Sequence, residues 1–257
     1  MFINNIDPVA FEILGLQVRY YGLVYLVGFL FSYYLIKKLS HKMKFPIGKI
    51  DDYVFYVMVF GILGARIFEV LVWSPGYYLS NPIEIIKIWK GGLSFHGGLV
   101  GGLVYSYFFC KKEQINFYKL ADLLMLPLSF FLFFGRIANY INSELVGKIT
   151  NSSLGVNFHN ETSNEELVYR HAYQIYASLK NLLVFIILLP MYLFKKLKPG
   201  VVFYSFIFLY AFGRFIVDFY KEESLYLGLG VGQWLNLVMI IISVCWLWKV
   251  KAWKTIR

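Results

Sequence analysis

Charged residues are scarce in this chain of 257 residues. Asp, Glu, Lys and Arg make up 16% of the sequence, whereas hydrophobic residues make up 59% and the mean hydropathy is +0.60. An ordinary soluble domain contains about 25% charged residues. This composition excludes a disordered chain, a nucleic-acid-binding module and most soluble enzymes. The sequence therefore predicts an all-α polytopic membrane protein.

Cysteine is also scarce, because Cys110 and Cys245 are the only two in the chain. Two cysteines cannot form a disulfide framework, and the sequence has no CxxC or HExxH motif and no Cys/His cluster with the spacing of metal ligands. We therefore predict no redox chemistry, no metal site and no cofactor.

Seven hydrophobic stretches approach the roughly 20 apolar residues that a helix needs to cross a bilayer. They are Tyr21–Leu39, Tyr53–Trp73, Gly92–Cys110, Leu120–Ala138, Gln174–Phe194, Val201–Tyr220 and Gly232–Trp248. Seven crossings predict one integral membrane domain over residues 1–257, with the two termini on opposite sides.

The distribution of Lys and Arg over the loops predicts the orientation, because basic residues accumulate in cytoplasmic loops. One set of loops and the C-terminal tail contain Lys37, Lys38, Lys42, Lys44, Lys49, Lys111, Lys112, Lys119, Lys195, Lys196, Lys198, Lys249, Lys251, Lys254 and Arg257; the other contains Arg19, Lys87, Lys90, Lys148, Arg170 and Lys221. This asymmetry predicts that the N-terminus is outside and the C-terminus is cytoplasmic. The longest connection, residues 139–173, is then an external head segment.

Four basic residues lie inside the predicted spans: Arg66, Arg136, Lys180 and Arg214. A charge within the hydrocarbon region is costly, and it normally faces the protein interior or water at a working site. Two interpretations remain open for each arginine. It binds a ligand, or it is structural, capping helix carbonyls or pairing with an acid, as Arg66 would with Glu69 and Arg214 with Asp218.

Other polar residues are predicted at the same outer depth as the three arginines. They are Tyr21, His96, Asn139, Asn142, Glu144 and Gln233, together with Tyr210 and Asp218, which share a helix face with Arg214. A guanidinium group matches the geometry of phosphate, so this arrangement predicts a pocket for a phospholipid headgroup. A transporter or flippase is the alternative, although such proteins usually contain an internal repeat and we find none.

The segment GRIANYINSELVG, from Gly135 to Gly147, closely resembles the signature of the prolipoprotein diacylglyceryl transferase family, G-R-x-[GA]-N-[FY]-x-N-x-E-x-x-G. Further similar segments follow the family order: YYGLVYLVG near the start, GARI, GGLSFHGGLVGG, LGVNF, RHAYQIY, YAFGRFIVDFY and GQWLN. The resemblance thus extends over nearly the whole chain.

This resemblance implies a seven-helix enzyme of the plasma (inner) membrane. Such enzymes transfer the diacylglyceryl group of phosphatidylglycerol to the thiol of a lipobox cysteine in a prolipoprotein and release glycerol-1-phosphate. The implied catalytic residues are His96, Arg136, Arg214 and Tyr21. The implied donor-binding residues are Arg66, Arg136, Asn139, Asn142, Glu144, Gly147, Tyr210, Arg214 and Gln233.

Several positions depart from the family pattern. Ala172, Tyr173 and Ala177 replace the usual Pro, Ser and Glu of the RHPSQLYE motif, Asn236 and Val238 replace Ser and Pro, and Glu69 replaces an aromatic residue. These changes leave two interpretations open: a divergent enzyme with the usual donor, or a relative that uses another lipid.

Overall fold

The computed structural model describes residues 1–13, 15–40, 48–159, 161–163, 166–194 and 196–252. They form two compact units, residues 1–36 with 121–257 (the first unit) and residues 37–120 (the second unit). Five basic residues that entered the orientation argument, Lys42, Lys44, Lys195, Lys254 and Arg257, lie outside the described residues.

The described residues are mostly helical. The helices are α1 Tyr20–Ser40, α2 Gly48–Phe68, α3 Pro75–Ser80, α4 Phe95–Lys112, α5 Phe117–Ile141, α6 Tyr173–Phe194, α7 Val201–Val217 and α8 Val231–Lys249. A π-helical turn, Glu69–Trp73, extends α2, and a 3₁₀ turn, Asp218–Tyr220, extends α7. Two further 3₁₀ turns, Pro82–Ile86 and Ile88–Lys90, precede α4.

Six helical stretches are long and apolar enough to cross a membrane, and they coincide with six of the seven predicted spans. They are Tyr20–Ser40, Gly48–Trp73, Phe117–Ile141, Tyr173–Phe194, Val201–Tyr220 and Val231–Lys249. The prediction of an all-α polytopic membrane protein is confirmed. The remaining predicted span is the helix α4, whose glycines, lysines and histidine lower its hydropathy, and the count of seven crossings stays a prediction.

In the second unit, α2 and α4 approach each other closely along a line of glycines. A Cβ atom at Gly64 would lie 2.9 Å from the Cα of Gly101, and one at Gly97 would lie 3.0 Å from the Cα of Ala65. Gly97 and Gly101 are four residues apart and therefore share a helix face, the arrangement that permits close backbone packing in membrane bundles. The glycines of the GARI and GGLVGG segments thus set the distance between these helices.

In the first unit, polar side chains connect the helices through backbone groups. Asn181 of α6 donates to the carbonyl oxygen of Leu132 on α5 at 3.0 Å. The carboxylate of Asp122 accepts from the amides of Gly200 and Phe203 at 2.8 and 2.7 Å, and thereby satisfies donors at the N-terminus of α7 that no helical carbonyl can reach. These bonds hold the start of α7 against α5.

The segment between α5 and α6 contains short strands that the sequence analysis did not anticipate. The strands within the described residues are β1 Phe2–Asn4, β2 Val9–Ile13, β3 Leu16–Arg19, β4 Val156–Phe158, β5 Thr162–Ser163, β6 Glu166–Leu167, β7 Leu225–Tyr226 and β8 Leu229–Gly230. The strand β4 pairs in parallel with β1, and Val156 and Phe158 form a small buried cluster. Because α5 continues to Ile141, Asn139 belongs to its last turn and not to the loop where the sequence analysis had it.

Candidate functional site

Arg136 lies in the penultimate turn of α5. Its Nη1 donates to the Oδ1 of Asn139, one turn later, at 3.4 Å. Within the part of the chain that the structure describes, this is its only hydrogen bond. The other N–H groups of the guanidinium therefore remain available for a ligand.

Glu144 is held by amide groups from three directions. Its carboxylate accepts from the Nδ2 of Asn139 and from the Nδ2 of Asn142, each at 3.1 Å, and its backbone carbonyl accepts from Gln174 at 2.6 Å. The residues on either side, Ser143 and Leu145, both have a φ of 55°, a left-handed conformation that is costly outside glycine. The signature residues therefore form one rigid turn at the end of α5.

A second polar group lies on α7 and confirms the predicted stripe of Tyr210, Arg214 and Asp218. Arg214 donates to the hydroxyl of Tyr210 and to the carboxylate of Asp218, each at 3.3 Å. Asp218 is buried and also accepts from the hydroxyl of Tyr173 at 2.6 Å. The carboxylate thus joins the end of α7 to the start of α6.

Two cation–aromatic contacts connect these groups. The guanidinium carbon of Arg136 lies 5.9 Å from the ring centre of Tyr173, and the Nζ of Lys180 lies 3.7 Å from the ring centre of Tyr210. Arg136, Tyr173, Lys180, Tyr210, Arg214 and Asp218 together form what we call the cationic cluster. It contains two arginines, one lysine and one carboxylate, and guanidinium groups are suited to binding phosphate.

Three other predicted residues lie in the same unit: Tyr21, Gln233 and Gly147. Tyr21 stacks on Tyr25 at 4.6 Å and interacts electrostatically with Arg136 and Glu144. Gln233 is buried, and its amide bonds the backbone of Phe215 and Gly230, so it connects α8 to α7.

Gly147 has a packing role in the structure. Its amide donates to the carbonyl of His171 at 3.1 Å, and a Cβ atom at this position would lie 2.7 Å from the carbonyl oxygen of Tyr220. Only glycine fits where these two backbones meet, and this packing explains the last glycine of the signature.

Arg66 belongs to the second unit and has a different environment. Its guanidinium donates to four backbone carbonyls, those of Glu84, Ile85, Gly91 and Gly92. The pairing with Glu69 suggested from the sequence is wrong, since the carboxylate of Glu69 accepts from Ser74 instead. These contacts favour the structural interpretation of Arg66, because its donors are already occupied.

His96 also belongs to the second unit, where it lies in the first turn of α4 with an exposed side chain. Its ring centre lies 6.5 Å from that of Phe68. The catalytic role assigned to it from the sequence stays a prediction. Among the described residues, no group of three or more His, Cys, Asp or Glu side chains could hold a metal ion.

The profile of the prolipoprotein diacylglyceryl transferase family matches residues 8–249. The chain belongs to this family. A phosphatidylglycerol–prolipoprotein diacylglyceryl transferase of Ehrlichia ruminantium (strain Welgevonden) is 37% identical over 250 residues, which cover 94% of this chain and 95% of the relative. Proteins of the same name from Rickettsia bellii (strain OSU 85-389) and Rickettsia felis are 36% and 37% identical to this chain, respectively. Each match covers 95% of this chain, and the two matches cover 95% and 96% of the relatives.

Two residues of the cationic cluster were not assigned to the site by the sequence analysis. Tyr173 is one of the departures from the prolipoprotein diacylglyceryl transferase pattern, and its contacts with Arg136 and Asp218 place this departure inside the cluster. Lys180 was noticed as a charge within a span but received no role. A cation within a membrane span is costly, and this feature of the sequence was sufficient to predict Lys180 as a residue of the site.

Proposed function

We propose that this protein transfers the diacylglyceryl group of phosphatidylglycerol to prolipoproteins, the first step of lipoprotein maturation. Membership of the family and the names of the relatives support this function. The cationic cluster connects this function with particular residues. Within it, Arg136 and Arg214 retain guanidinium donors that no described protein group occupies.

The proposed acceptor is the thiol of a lipobox cysteine in the prolipoprotein. Its sulfur forms a bond with the terminal glycerol carbon of the diacylglyceryl group while the bond from that carbon to the phosphate oxygen breaks. The electron pair of the broken bond stays on the phosphate, which departs as glycerol-1-phosphate, and the thiol proton passes to a base. Since the nucleophile comes from the substrate, the enzyme has to stabilise the departing phosphate and accept the proton.

In this proposal, Arg136 and Arg214 bind the phosphate. A guanidinium group offers two parallel N–H donors to phosphate oxygens and keeps its charge throughout the reaction. Asn139, Asn142 and Glu144 hold Arg136 and contact the headgroup. The bonds from Asn139 to both Arg136 and Glu144 support this positioning role.

We assign His96 to proton transfer from the thiol or to orientation of the donor, because a ring nitrogen of histidine can accept a proton and donate it again. Tyr21 is proposed to contact the donor beside Arg136, with which it interacts electrostatically.

The decisive test uses purified protein in phosphatidylglycerol vesicles with a synthetic lipobox peptide. Mass spectrometry should detect a peptide that has gained one diacylglyceryl group, and glycerol phosphate should appear in equal amount. A peptide with Ser in place of the lipobox Cys is the matched control and should remain unmodified. Failure of the wild-type protein to modify the Cys peptide would contradict the proposed function.

We further propose that the protein lies in the plasma (inner) membrane with its N-terminus outside, its C-terminus in the cytoplasm and residues 139–173 as an external head segment. The asymmetry of Lys and Arg between the loops supports this orientation. A reporter fused after Arg257 should report a cytoplasmic position, and one inserted near Ser163 should report an external one. Reversal of either result would reject the orientation.

A further inference from the structure

Lys180 lies about 10 Å into α6, seven residues after its start at Tyr173, within a membrane-spanning helix. The side chain is only partly accessible. Within the part of the chain that the structure describes, the three N–H donors of its ammonium group have no hydrogen-bond acceptor. A cation in this position normally belongs to a working site.

The neighbouring helix has space for this side chain. A Cβ atom at Gly213 of α7 would lie 2.6 Å from the Cγ and 2.8 Å from the Cδ of Lys180. Any residue larger than glycine would therefore displace the lysine. The ammonium group passes this glycine and ends above the ring of Tyr210, 3.7 Å from its centre.

The electrostatic surroundings of Lys180 are unusual for a structural lysine. It interacts electrostatically with Arg136, Arg214 and Asp218, so two of its three charged neighbours repel it. The cation–π contact with Tyr210 offsets part of this repulsion, on the order of 0.5–2 kcal/mol. Lys180 itself forms no ion pair with a carboxylate among the described residues, whereas Arg214 pairs with Asp218 and Asn139 links Arg136 to Glu144.

We propose that Lys180 is a third phosphate ligand of the transferase site and that it neutralises the charge that develops on the departing phosphate. This inference rests on the proposed function. The phosphodiester of the donor carries one negative charge, whereas the phosphate monoester that leaves carries nearly two at neutral pH. A lysine beside Arg136 and Arg214 would attract the departing group more strongly than the donor, and such a difference accelerates the reaction itself.

The test compares Lys180→Met, which keeps the length of the stem but removes the charge, with Lys180→Arg, which restores a cation. Lys119→Met, an exposed lysine at the start of α5, is the matched control. Lys180→Met should lower kcat by at least about tenfold, the effect of losing one hydrogen bond to a charged group. Lys180→Arg should retain most of the activity, and Lys119→Met should behave as the wild type.

Binding of glycerol phosphate, measured by calorimetry on the purified proteins, gives a readout that does not depend on turnover. Its dissociation constant should rise for Lys180→Met, with little change for Lys180→Arg and Lys119→Met. Wild-type kcat and product affinity in Lys180→Met would overturn the inference while leaving the proposed function intact. A lowered melting temperature with unchanged product affinity would also overturn it, because it would show that Lys180 only packs against Tyr210.

Discussion

Replacement of Arg136 by Lys tests whether this arginine binds the phosphate of the donor. The substitution keeps the positive charge near the C-terminus of α5 and removes the planar pair of donors. A structural arginine with one internal hydrogen bond, to Asn139, should tolerate the change. A phosphate ligand should not, because a single ammonium group cannot reproduce two parallel bonds to phosphate.

The expected loss follows from the number of donors that the protein leaves free. Arg136 uses one N–H group for Asn139, and Arg214 uses two, for Tyr210 and Asp218. Each guanidinium therefore retains at least one pair of N–H groups for the phosphate. Losing one bond to a charged group costs about 1.5–3 kcal/mol, which corresponds to roughly 10- to 150-fold in kcat/KM.

The assay measures initial rates of peptide modification at increasing mole fractions of phosphatidylglycerol, together with the melting temperature of each variant. Arg66→Lys is the informative comparison, because the guanidinium of Arg66 already binds four carbonyls. It should lower the melting temperature and leave the rate per folded molecule nearly unchanged. Wild-type turnover in Arg136→Lys would refute the phosphate-binding role.

Three further predictions concern other parts of the chain. His96→Gln should lower the transfer rate and change its dependence on pH, because the amide of Gln cannot act as a base; a variant with the full rate and the wild-type pH profile would exclude His96 as the base. Arg170 lowers the pKa of the Glu161 carboxyl through hydrogen bonds at 2.7 and 2.8 Å. This pair therefore stabilises the segment between α5 and α6 above about pH 4.5, the ordinary value, and the stabilisation is lost as the pH falls through the lowered pKa. Hydrogen exchange of the segment against pH should show this loss, and Glu161→Gln should abolish it. Gly97→Ala should destabilise the protein by about 1–3 kcal/mol through overpacking of α2 against α4. Gly98→Ala is the control and should not destabilise it, because a Cβ atom there would lie no closer than 3.5 Å to any neighbour. Equal melting temperatures for the two variants would reject the close glycine contact between α2 and α4.

The sequence by itself determined the features that depend on local composition and short spacing. Long apolar runs predict membrane helices because each residue must be compatible with lipid independently of its partners, and six of these runs are helices of the expected length. The arrangement of Arg136, Asn139 and Glu144 is also local, since all three lie within nine residues at the end of α5. The stripe on α7 followed from helical periodicity alone.

Tertiary structure decided which of the charged residues are free to bind a ligand. Arg66, Arg136 and Arg214 look equivalent in the sequence, but the carbonyls that occupy Arg66 come from residues 18 to 26 positions later in the chain. The bond from Tyr173 to Asp218 spans 45 positions. No local pattern specifies such contacts, because they depend on how separate helices pack. The same packing brings the lone lysine of α6 past Gly213 and into the cationic cluster.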